Sequence, residues 1–242
     1  MLEELIKKED YKFLSLPLSS LTYTGTYRDM VSDMIDYGIT TFAFSKDWGE
    51  FKNDDEEILA ETVYSAYQKV FELKKYSGSQ LLKGYNRMKS IVDPFEEKYK
   101  KDAYFRVPIG LIMDAYNGNF PERKLRVYCA IRSILGCKNK FLRISYDRIR
   151  RCMLGYKNEI SFNEAGHVAL SDRQIGYTVR QLMEAGLLSS YTYRRRVKYY
   201  STVYKNPEEI AEALAIRLKK KKGRVLTSEE SDSIIEKYLS EV

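Results

Sequence analysis

Histidine and cysteine are scarce in this chain of 242 residues, which has one histidine and three cysteines and no CxxC pair. Protein sites for zinc and similar metals use several such side chains at short spacings, and His167 stands alone. An odd number of cysteines cannot all pair within one chain, so thiols in a reducing cytoplasm are the simplest interpretation. We therefore expect no metal site, and we expect Cys129, Cys137 and Cys152 to act as small buried hydrophobic residues.

Long hydrophobic runs are also missing. No window approaches the roughly 20 apolar residues that cross a bilayer, and the early apolar run at residues 13–21 is interrupted by Pro17. That run follows the mixed charges of "KKEDYK", whereas a secretion signal has basic residues followed by an unbroken apolar stretch. The sequence favours a cytoplasmic protein that makes no membrane contact.

Motifs of common enzyme classes are absent as well. The chain contains no P-loop, no GxSxG turn and no glycine-rich dinucleotide turn. A rolling-circle nickase needs two metal-binding histidines beside its tyrosine, and a tyrosine recombinase needs an arginine three residues after its histidine. His167 is followed by Val, Ala and Leu, and the acidic run at residues 53–57 is more typical of a helix start than of a metal site. We expect a protein without catalytic residues and without a cofactor.

Positive charge is abundant, but it is concentrated in one segment. From Pro121 to Lys205 the chain has 18 Lys or Arg and 6 Asp or Glu, a net charge of +12, whereas the remainder has a net charge of −5. A basic segment of this kind is a usual footprint of nucleic-acid contact. A basic face that meets an acidic partner protein has the same composition, so both interpretations stay open.

The N-terminal region, residues 1–110, is predicted to be a mostly helical domain of unknown role. Residues 1–50 show no regular period. Residues 53–75 begin with acidic side chains, end with lysines and carry apolar residues at helical spacing, from Ile58 to Phe71. That pattern is typical of a helix whose charges match its dipole.

Two further N-terminal helices are predicted, over residues 79–92 and 94–101, with Pro94 in the first turn of the second. Asparagine, glycine and proline residues after residue 116 interrupt the next apolar stretch, so the border of the N-terminal domain is placed near residues 103–120.

The C-terminal region, residues 205–242, is predicted to form helices. Asn206 and Pro207 suit the cap and first position of a helix, with glutamates in its first turn and lysines in its last. A shorter helix is expected after Thr227, because "TSEE" has capping-box spacing. The longer helix either packs on the basic segment or mediates dimerisation.

Three helices are predicted in the basic segment. The first, residues 122–135, ends at Gly136, and the second begins after Ser145 and ends at Gly155. Arginines are expected mainly on the outer faces of these two helices, at positions 123, 126, 132, 148, 150 and 151.

The third helix has the clearest signals. Ser171 and Gln174 have capping-box spacing, and Gly186 is expected to end the helix. Its apolar positions recur at helical spacing, at Ile175, Val179, Leu182 and Met183. The opposite face carries polar and aromatic side chains, namely Arg173, Tyr177, Arg180, Gln181 and Glu184.

Residues 187–204 alternate between apolar and polar side chains on both sides of three consecutive arginines, which predicts a hairpin with a basic tip. Adjacent like charges repel, and surface ion pairs contribute only about 0–1 kcal/mol each, so an anionic ligand explains Arg194, Arg195 and Arg196 better than stability does. The hairpin tyrosines are expected to pack on the helices rather than to stack on bases, at positions 191, 193, 199, 200 and 204.

Three helices followed by a hairpin is the order of a winged helix-turn-helix. In that arrangement the third helix enters the major groove of DNA, and the hairpin tip meets phosphates or the minor groove. The run "LSDRQIGYTVRQLMEAGLLSSY", residues 170–191, resembles the recognition-helix-and-wing segment of winged-helix proteins, among them bacterial regulators and replication initiators of plasmids and phages. The resemblance covers residues 121–204. One departure is the connection at residues 155–170, which is longer than the usual 3 or 4 residues.

The sequence thus predicts a mostly α protein with a small β-hairpin wing, made of a helical N-terminal region, a winged helix at residues 121–204 and C-terminal helices. The predicted function is sequence-specific binding of double-stranded DNA, as a replication initiator or transcription regulator of a bacterial chromosome or mobile element. The alternative is a protein-interaction module that docks an acidic partner. A homodimer through the N-terminal region or the C-terminal helix fits either function. The residues expected to contact DNA are Arg148, Arg151, Arg173, Gln174, Tyr177, Arg180, Gln181, Arg194, Arg195, Arg196 and Lys198.

Overall fold

A computed structural model describes residues 12–45, 55–71, 73, 77–99, 104–136, 140–155, 170–195 and 197–220. Within those ranges the chain is mostly helical, with eight α-helices, one 3-10 helix and five short strands in two antiparallel sheets. The prediction of a mostly helical protein with a small antiparallel sheet is confirmed. Several sequence predictions fall outside the described residues, namely those for Cys137, His167, Arg196, most of the connection at residues 155–170, and the helix after Thr227.

The first described elements are strand β1 (Phe13–Pro17), a 3-10 helix (Leu18–Thr22) and helix α1 (Tyr27–Phe44). Thr26 caps α1, since its side-chain oxygen accepts the Asp29 N–H at 3.2 Å. Eleven of the 18 residues of α1 are buried. A helix that is enclosed on most sides has no continuous polar face, so its sequence lacks the helical period that an amphipathic helix shows. For that reason the sequence did not predict α1.

Helix α2 spans Glu56–Phe71 and begins with acidic residues, as predicted. Ile58, the first apolar residue of the predicted helical pattern, is 54% exposed in the first turn. Later residues of the same pattern are buried, with Val63 and Tyr67 at 0% and 1% exposure.

Helix α3 (Gly78–Tyr99) is one helix where two had been predicted, because it continues through Pro94. A proline in a helix interior removes one backbone hydrogen bond and crowds the preceding turn. Met88 and Val92, which precede Pro94, are 0% and 1% exposed and pack into the core. Burial of this face offsets the cost of the proline, so the helix is not broken.

Strand β2 (Tyr104–Pro108) pairs antiparallel with β1, and helix α4 (Ile109–Tyr116) follows it directly. The stretch expected to hold a domain border therefore contains regular structure. The Tyr27 hydroxyl donates to the Phe120 carbonyl at 2.6 Å, which connects α1 to the loop after α4.

The basic segment contains α5 (Glu122–Leu135), β3 (Leu142–Arg143), α6 (Tyr146–Met153), α7 (Asp172–Glu184), β4 (Ser189–Tyr193) and β5 (Val197–Ser201). The three predicted helices and the hairpin are thus present. Gly136 and Gly186 follow α5 and α7 with left-handed φ values of 62° and 67°, a conformation that glycine adopts without a steric penalty. The strands form an antiparallel sheet in the order β3-β5-β4.

Both faces of this sheet are covered. Tyr200 of β5 is 1% exposed and joins the main hydrophobic cluster with α5, α6 and α7. On the other face Tyr191 of β4 packs with Phe141 against helix α8 (Pro207–Lys220). Partly buried tyrosines complete this second cluster, at positions 193, 199 and 204. The prediction that the hairpin tyrosines pack on helices is confirmed, and α8 packs on the basic segment.

One hydrophobic cluster extends from Leu14 of β1 to Tyr200 of β5, and it includes residues from both sides of the expected domain border. The division of the chain into three regions stays a prediction. Cys129 and Cys152 lie in this cluster at 0% exposure and form no disulfide, as expected of structural thiols. Burial raises the pKa of the Cys129 thiol well above its usual range.

Candidate nucleic-acid interface

The start of α7 is fixed by a complete capping box. The Gln174 N–H donates to Ser171 Oγ at 3.3 Å, and the Ser171 N–H donates to Gln174 Oε1 at 2.9 Å. These bonds satisfy backbone donors that a helix start leaves without partners. The Gln174 side chain therefore has a structural role in α7, in addition to its predicted role in DNA contact.

The polar face of α7 points away from the core. Ile175, Val179 and Leu182 are buried at 0–2% exposure, so the residues on the opposite side face solvent. Tyr177 is 55% exposed, which is high for an aromatic side chain. The residues of this face classed as exposed are Arg173, Gln174, Tyr177, Arg180 and Glu184, whereas Gln181 is partly buried. The structure thus gives α7 a basic and aromatic outer surface.

The hairpin tip places arginines in an uncommon backbone conformation. Tyr193 pairs with Val197, and between them Arg194 and Arg195 have φ values of 48° and 55°. A residue with a Cβ is disfavoured in this left-handed region, where glycine and asparagine are the usual occupants. The Arg194 guanidinium lies 5.1 Å from the Tyr193 ring centre. Arg194 and Arg195 are both exposed, and Arg196 lies outside the described residues.

A groove of about 440 Å³ separates α7 from the hairpin. Its lining residues come from three elements, α6, α7 and the sheet, and are Tyr146, Arg173, Gly176, Tyr177, Val179, Arg180, Met183, Ser190, Lys198 and Tyr200. Three of these are cations, and no acidic residue is among them. Among the residues that the structure describes, Arg173, Arg180 and Lys198 have no ion-pair partner.

The inner part of the groove is aromatic and apolar. Burial, reinforced by the neighbouring phenol of Tyr146, raises the pKa of Tyr200 above its usual range. The Ser190 hydroxyl donates to Met183 Sδ at 3.2 Å. Gly176 leaves this space open, since a Cβ there would lie 3.2 Å from the Tyr146 hydroxyl oxygen.

Two arginines of α6, Arg150 and Arg151, differ from those of α7, because acidic neighbours pair with them. Arg151 forms an ion pair with Asp147 at 2.6 Å and is 31% exposed. Arg150 bonds to the Leu170 carbonyl at 2.9 Å and to Asp172, so it holds the start of α7 against α6. The prediction that Arg150 faces outward was wrong, since its side chain is 13% exposed. Arg148 and Arg151 do not line the groove.

Two arginines of α5 also have structural partners. Arg126 is 5% exposed, bonds to Glu122 at 2.7 Å and donates to the backbone carbonyls of Leu21 and Tyr23. Its placement off the apolar face was wrong, because the N-terminal segment covers that side of α5. Arg132 donates to the Arg106 carbonyl at 3.1 Å and to Thr202 Oγ1 at 2.6 Å. No local pattern identifies these contacts, since their acceptors are distant in sequence.

The N-terminal helices bury a separate charged cluster. Asp33 is 0% exposed, accepts two bonds from Arg87 and accepts the Tyr23 hydroxyl at 2.8 Å. Burial and this hydrogen bond raise the pKa of Tyr23 to about 12. Nearby Asp36 is 4% exposed, and burial together with the charge of Asp33 raises its pKa to about 8. Asp36 Oδ1 has no hydrogen-bond partner among the described atoms.

No protein-family model, curated protein or solved structure matches this chain. Within the described ranges, no group of three or more His, Cys, Asp and Glu side chains is arranged to hold a metal ion. None of the described helices has a stretch that is both long enough and apolar enough to cross a membrane.

Proposed function

We propose that residues 121–204 are a winged helix-turn-helix that binds double-stranded DNA sequence-specifically. We place it in a cytoplasmic replication initiator or transcription regulator of a bacterial chromosome or mobile element. The order of α5, β3, α6, α7, β4 and β5 supports this proposal, as does the sheet order β3-β5-β4. This element order and this sheet order place α7 beside a hairpin whose tip is basic. A winged helix needs that arrangement to contact a DNA groove and the flanking phosphates together.

The observation that carries the proposal is that three exposed cations have no ion-pair partner among the described residues. Arg173, Arg180 and Lys198 surround the groove without a described ion-pair partner. Unpaired surface charges add little to stability, whereas basic side chains that neutralise phosphates supply much of the affinity for DNA. A surface that is basic, exposed and unpaired is therefore suited to a polyanion.

The backbone of the hairpin tip supports the same proposal. Arg194 and Arg195 have positive φ values, where glycine would cost less. Disfavoured backbone conformations are concentrated at functional sites, because a side chain needed by a ligand is retained there despite the strain. Contact with DNA phosphates requires guanidinium groups at the tip, and this requirement accounts for arginine at these two positions.

In the proposed complex α7 lies in the major groove, which is about 12 Å wide and admits one helix. Arg173 and Arg180 extend from its outer face, and arginine reads guanine through two parallel hydrogen bonds. Gln174 and Gln181 lie on the side of α7 away from the hairpin, where they face the next base pairs of the duplex. The hairpin tip then meets the sugar-phosphate backbone or the adjacent minor groove.

Duplex binding over a salt series tests the proposal. Phosphate neutralisation gives a log-log slope of about −0.9 for each contact, so a clear negative slope is expected. Arg28→Ala, at an exposed position on α1, is a matched control that removes one positive charge outside the basic segment. It should bind duplex as the parent does. Absence of duplex binding at low salt, with retained binding to an acidic polypeptide, would instead establish the protein-interaction module.

We also propose that the protein is a homodimer, because two copies can read two half-sites of one operator. The apolar face of α8 is occupied within its own chain, where Ile210, Ala211 and Leu214 are buried. Ile58 of α2 is 54% exposed, more than the 42% of Ile216 on α8, so we assign the contact to the N-terminal region. Sedimentation should give a dimer that Ile58→Glu dissociates. A monomeric parent chain at micromolar concentration would overturn this assignment.

A further inference from the structure

The groove between α7 and the hairpin is larger than contact with a duplex requires. Its volume of about 440 Å³ lies within the range of about 300–1,000 Å³ that is typical of small-molecule sites. Bases that are paired and stacked in a duplex do not enter such a pocket, and enzymes that need a base there must first unpair it. A duplex that meets the outer face of α7 therefore does not fill the interior of the groove.

The charges of the groove are arranged around its opening. Arg173 and Arg180 are seven residues apart, about two helical turns, on the same face of α7, and Lys198 stands across from them on β5. All three are exposed. Cations on opposite walls, with no acid among the lining residues, suit a compact anion such as a phosphate group.

The aromatic and apolar residues of the lining suit a planar ring. Tyr177 offers an exposed aromatic face beside the two arginines, and each base of a nucleic acid has a face that stacks on such a ring. Val179 and Met183 provide apolar walls, while the phenols of Tyr146 and Tyr200 provide polar atoms at the far side. The lining thus combines apolar and aromatic walls with charged and polar groups, which matches a ligand made of a ring and a phosphate.

Gly176 keeps the groove deep. Glycine in a helix interior costs about 0.5–1 kcal/mol relative to alanine. A side chain at this position would crowd the Tyr146 hydroxyl, 3.2 Å from the Cβ position, at a residue that lines the groove.

We propose that this groove binds a single nucleotide, with its phosphate between the α7 arginines and Lys198 and its base against Tyr177. The inference goes beyond the proposed duplex binding, although it shares Arg173, Tyr177, Arg180 and Lys198 with that surface. The nucleotide is either free in solution or an unpaired residue of a DNA strand. Both present the same chemistry to the groove.

Calorimetric titration of the full chain with dAMP, deoxyadenosine and inorganic phosphate tests the site. The nucleotide should bind, and the two fragments should each bind at least about tenfold more weakly, because each lacks one half of the contact. Equal binding of dAMP and phosphate would reduce the site to a cluster of cations and overturn the proposal.

Gly176→Leu and Gly110→Leu form a matched pair, since both place leucine at a helical glycine. A Cβ at Gly110 meets nothing within 4 Å, whereas one at Gly176 meets Tyr146. Only Gly176→Leu should abolish dAMP binding. Lys198→Ala should weaken binding about tenfold through loss of one charge-assisted contact, and it provides a test should Gly176→Leu fail to fold. Unchanged dAMP affinity in a folded Gly176→Leu or in Lys198→Ala would overturn the proposal.

The bound nucleotide is either free in solution or part of a DNA strand. Binding of a duplex with one unpaired adenosine nucleotide, compared with binding of the fully paired duplex, distinguishes these two sources. If the ligand belongs to DNA, the bulged duplex binds more tightly than the paired one, and Gly176→Leu removes the difference. If the ligand is free, dAMP binds, the bulge gives no advantage, and dAMP competes with the paired duplex. Salt-dependent binding of the paired duplex, with neither dAMP binding nor a bulge effect, would refute the groove site and leave the proposed function standing.

Discussion

The N-terminal helices and the surface formed by α7 and the hairpin differ in whether their charged side chains are buried and paired or exposed. In α1 and α3, Asp33 is fully buried and is paired with Arg87. On the other surface Arg173, Arg180 and Lys198 are exposed and lack described ion-pair partners. Removing a partner from a buried charge is costly, whereas an exposed unpaired charge contributes little to folding. The first arrangement maintains the fold, and the second is available to a ligand.

The basic segment itself contains both kinds of arginine. Arg126, Arg132 and Arg150 bond to backbone carbonyls or acidic side chains and connect α5 and α6 to other elements. Net charge alone therefore overstates the basic surface. The arginines with a structural role must be set aside before the remainder is interpreted as a binding face.

The largest expected effect is a pH dependence of stability that arises from Asp36. Because its pKa of about 8 in the fold exceeds its value of 3.8 as a free side chain, the folded state holds a proton that the unfolded state releases. Stability should fall as pH rises between those values, by up to about 1.4 kcal/mol per pH unit, and level off above pH 8. Asp36→Asn should remove this slope and be more stable than the parent at pH 8. Urea titrations at several pH values measure the free energy of unfolding. If it changed with pH by the same slope in the parent and in Asp36→Asn, Asp36 would be ionised in the folded state.

Arg87→Ala should lower the free energy of unfolding by about 2–4 kcal/mol, because Asp33 loses both bonds to Arg87, keeps the Tyr23 hydrogen bond and stays buried. Chemical denaturation measures this loss. Arg87→Lys, which retains the charge, should lose less. A change below 0.5 kcal/mol would mean that solvent reaches Asp33 and that the cluster is not structural.

Arg180→Ala should show the opposite behaviour. Affinity for the specific duplex should fall by about 1–3 kcal/mol while the free energy of unfolding stays within about 0.5 kcal/mol of the parent. Fluorescence anisotropy and urea denaturation give the two values. A variant that unfolds earlier and binds duplex unchanged would place Arg180 among the structural arginines.

Replacing Arg194 and Arg195 with glycine should raise stability slightly, by about 0.5–1 kcal/mol, since left-handed φ values suit glycine. The same variant should weaken binding to specific and random duplexes alike, because phosphate contacts carry no sequence information. The double lysine variant keeps the charge and the strain, so it should gain no stability. A stability gain with full duplex affinity would separate the hairpin tip from binding.

Local sequence signals predicted the helices and the hairpin of the basic segment well. Features that depend on contacts between residues distant in sequence were not predicted. Ser171 and Gln174 gave the start of α7, and Gly186 gave its end, because capping depends on neighbouring residues. Helix α1 was missed since its buried surface has no polar face. Arg126 was assigned to the outside because its acceptors, Leu21 and Tyr23, lie about 100 residues away. The groove was not foreseen, as it forms only when α7 packs beside the hairpin.

The division of the arginines into structural and ligand-binding groups is tested most directly by one comparison of salt dependence. Arg132→Ala and Arg180→Ala each remove one positive charge from the same segment, but Arg132 is bonded to Arg106 and Thr202 and Arg180 lies at the groove. Duplex affinity should be measured for both variants and the parent across a salt series. The account predicts that Arg180→Ala flattens the log-log slope by about 0.9 and that Arg132→Ala leaves it unchanged. Equal slopes in the two variants, or a loss confined to Arg132→Ala, would contradict it.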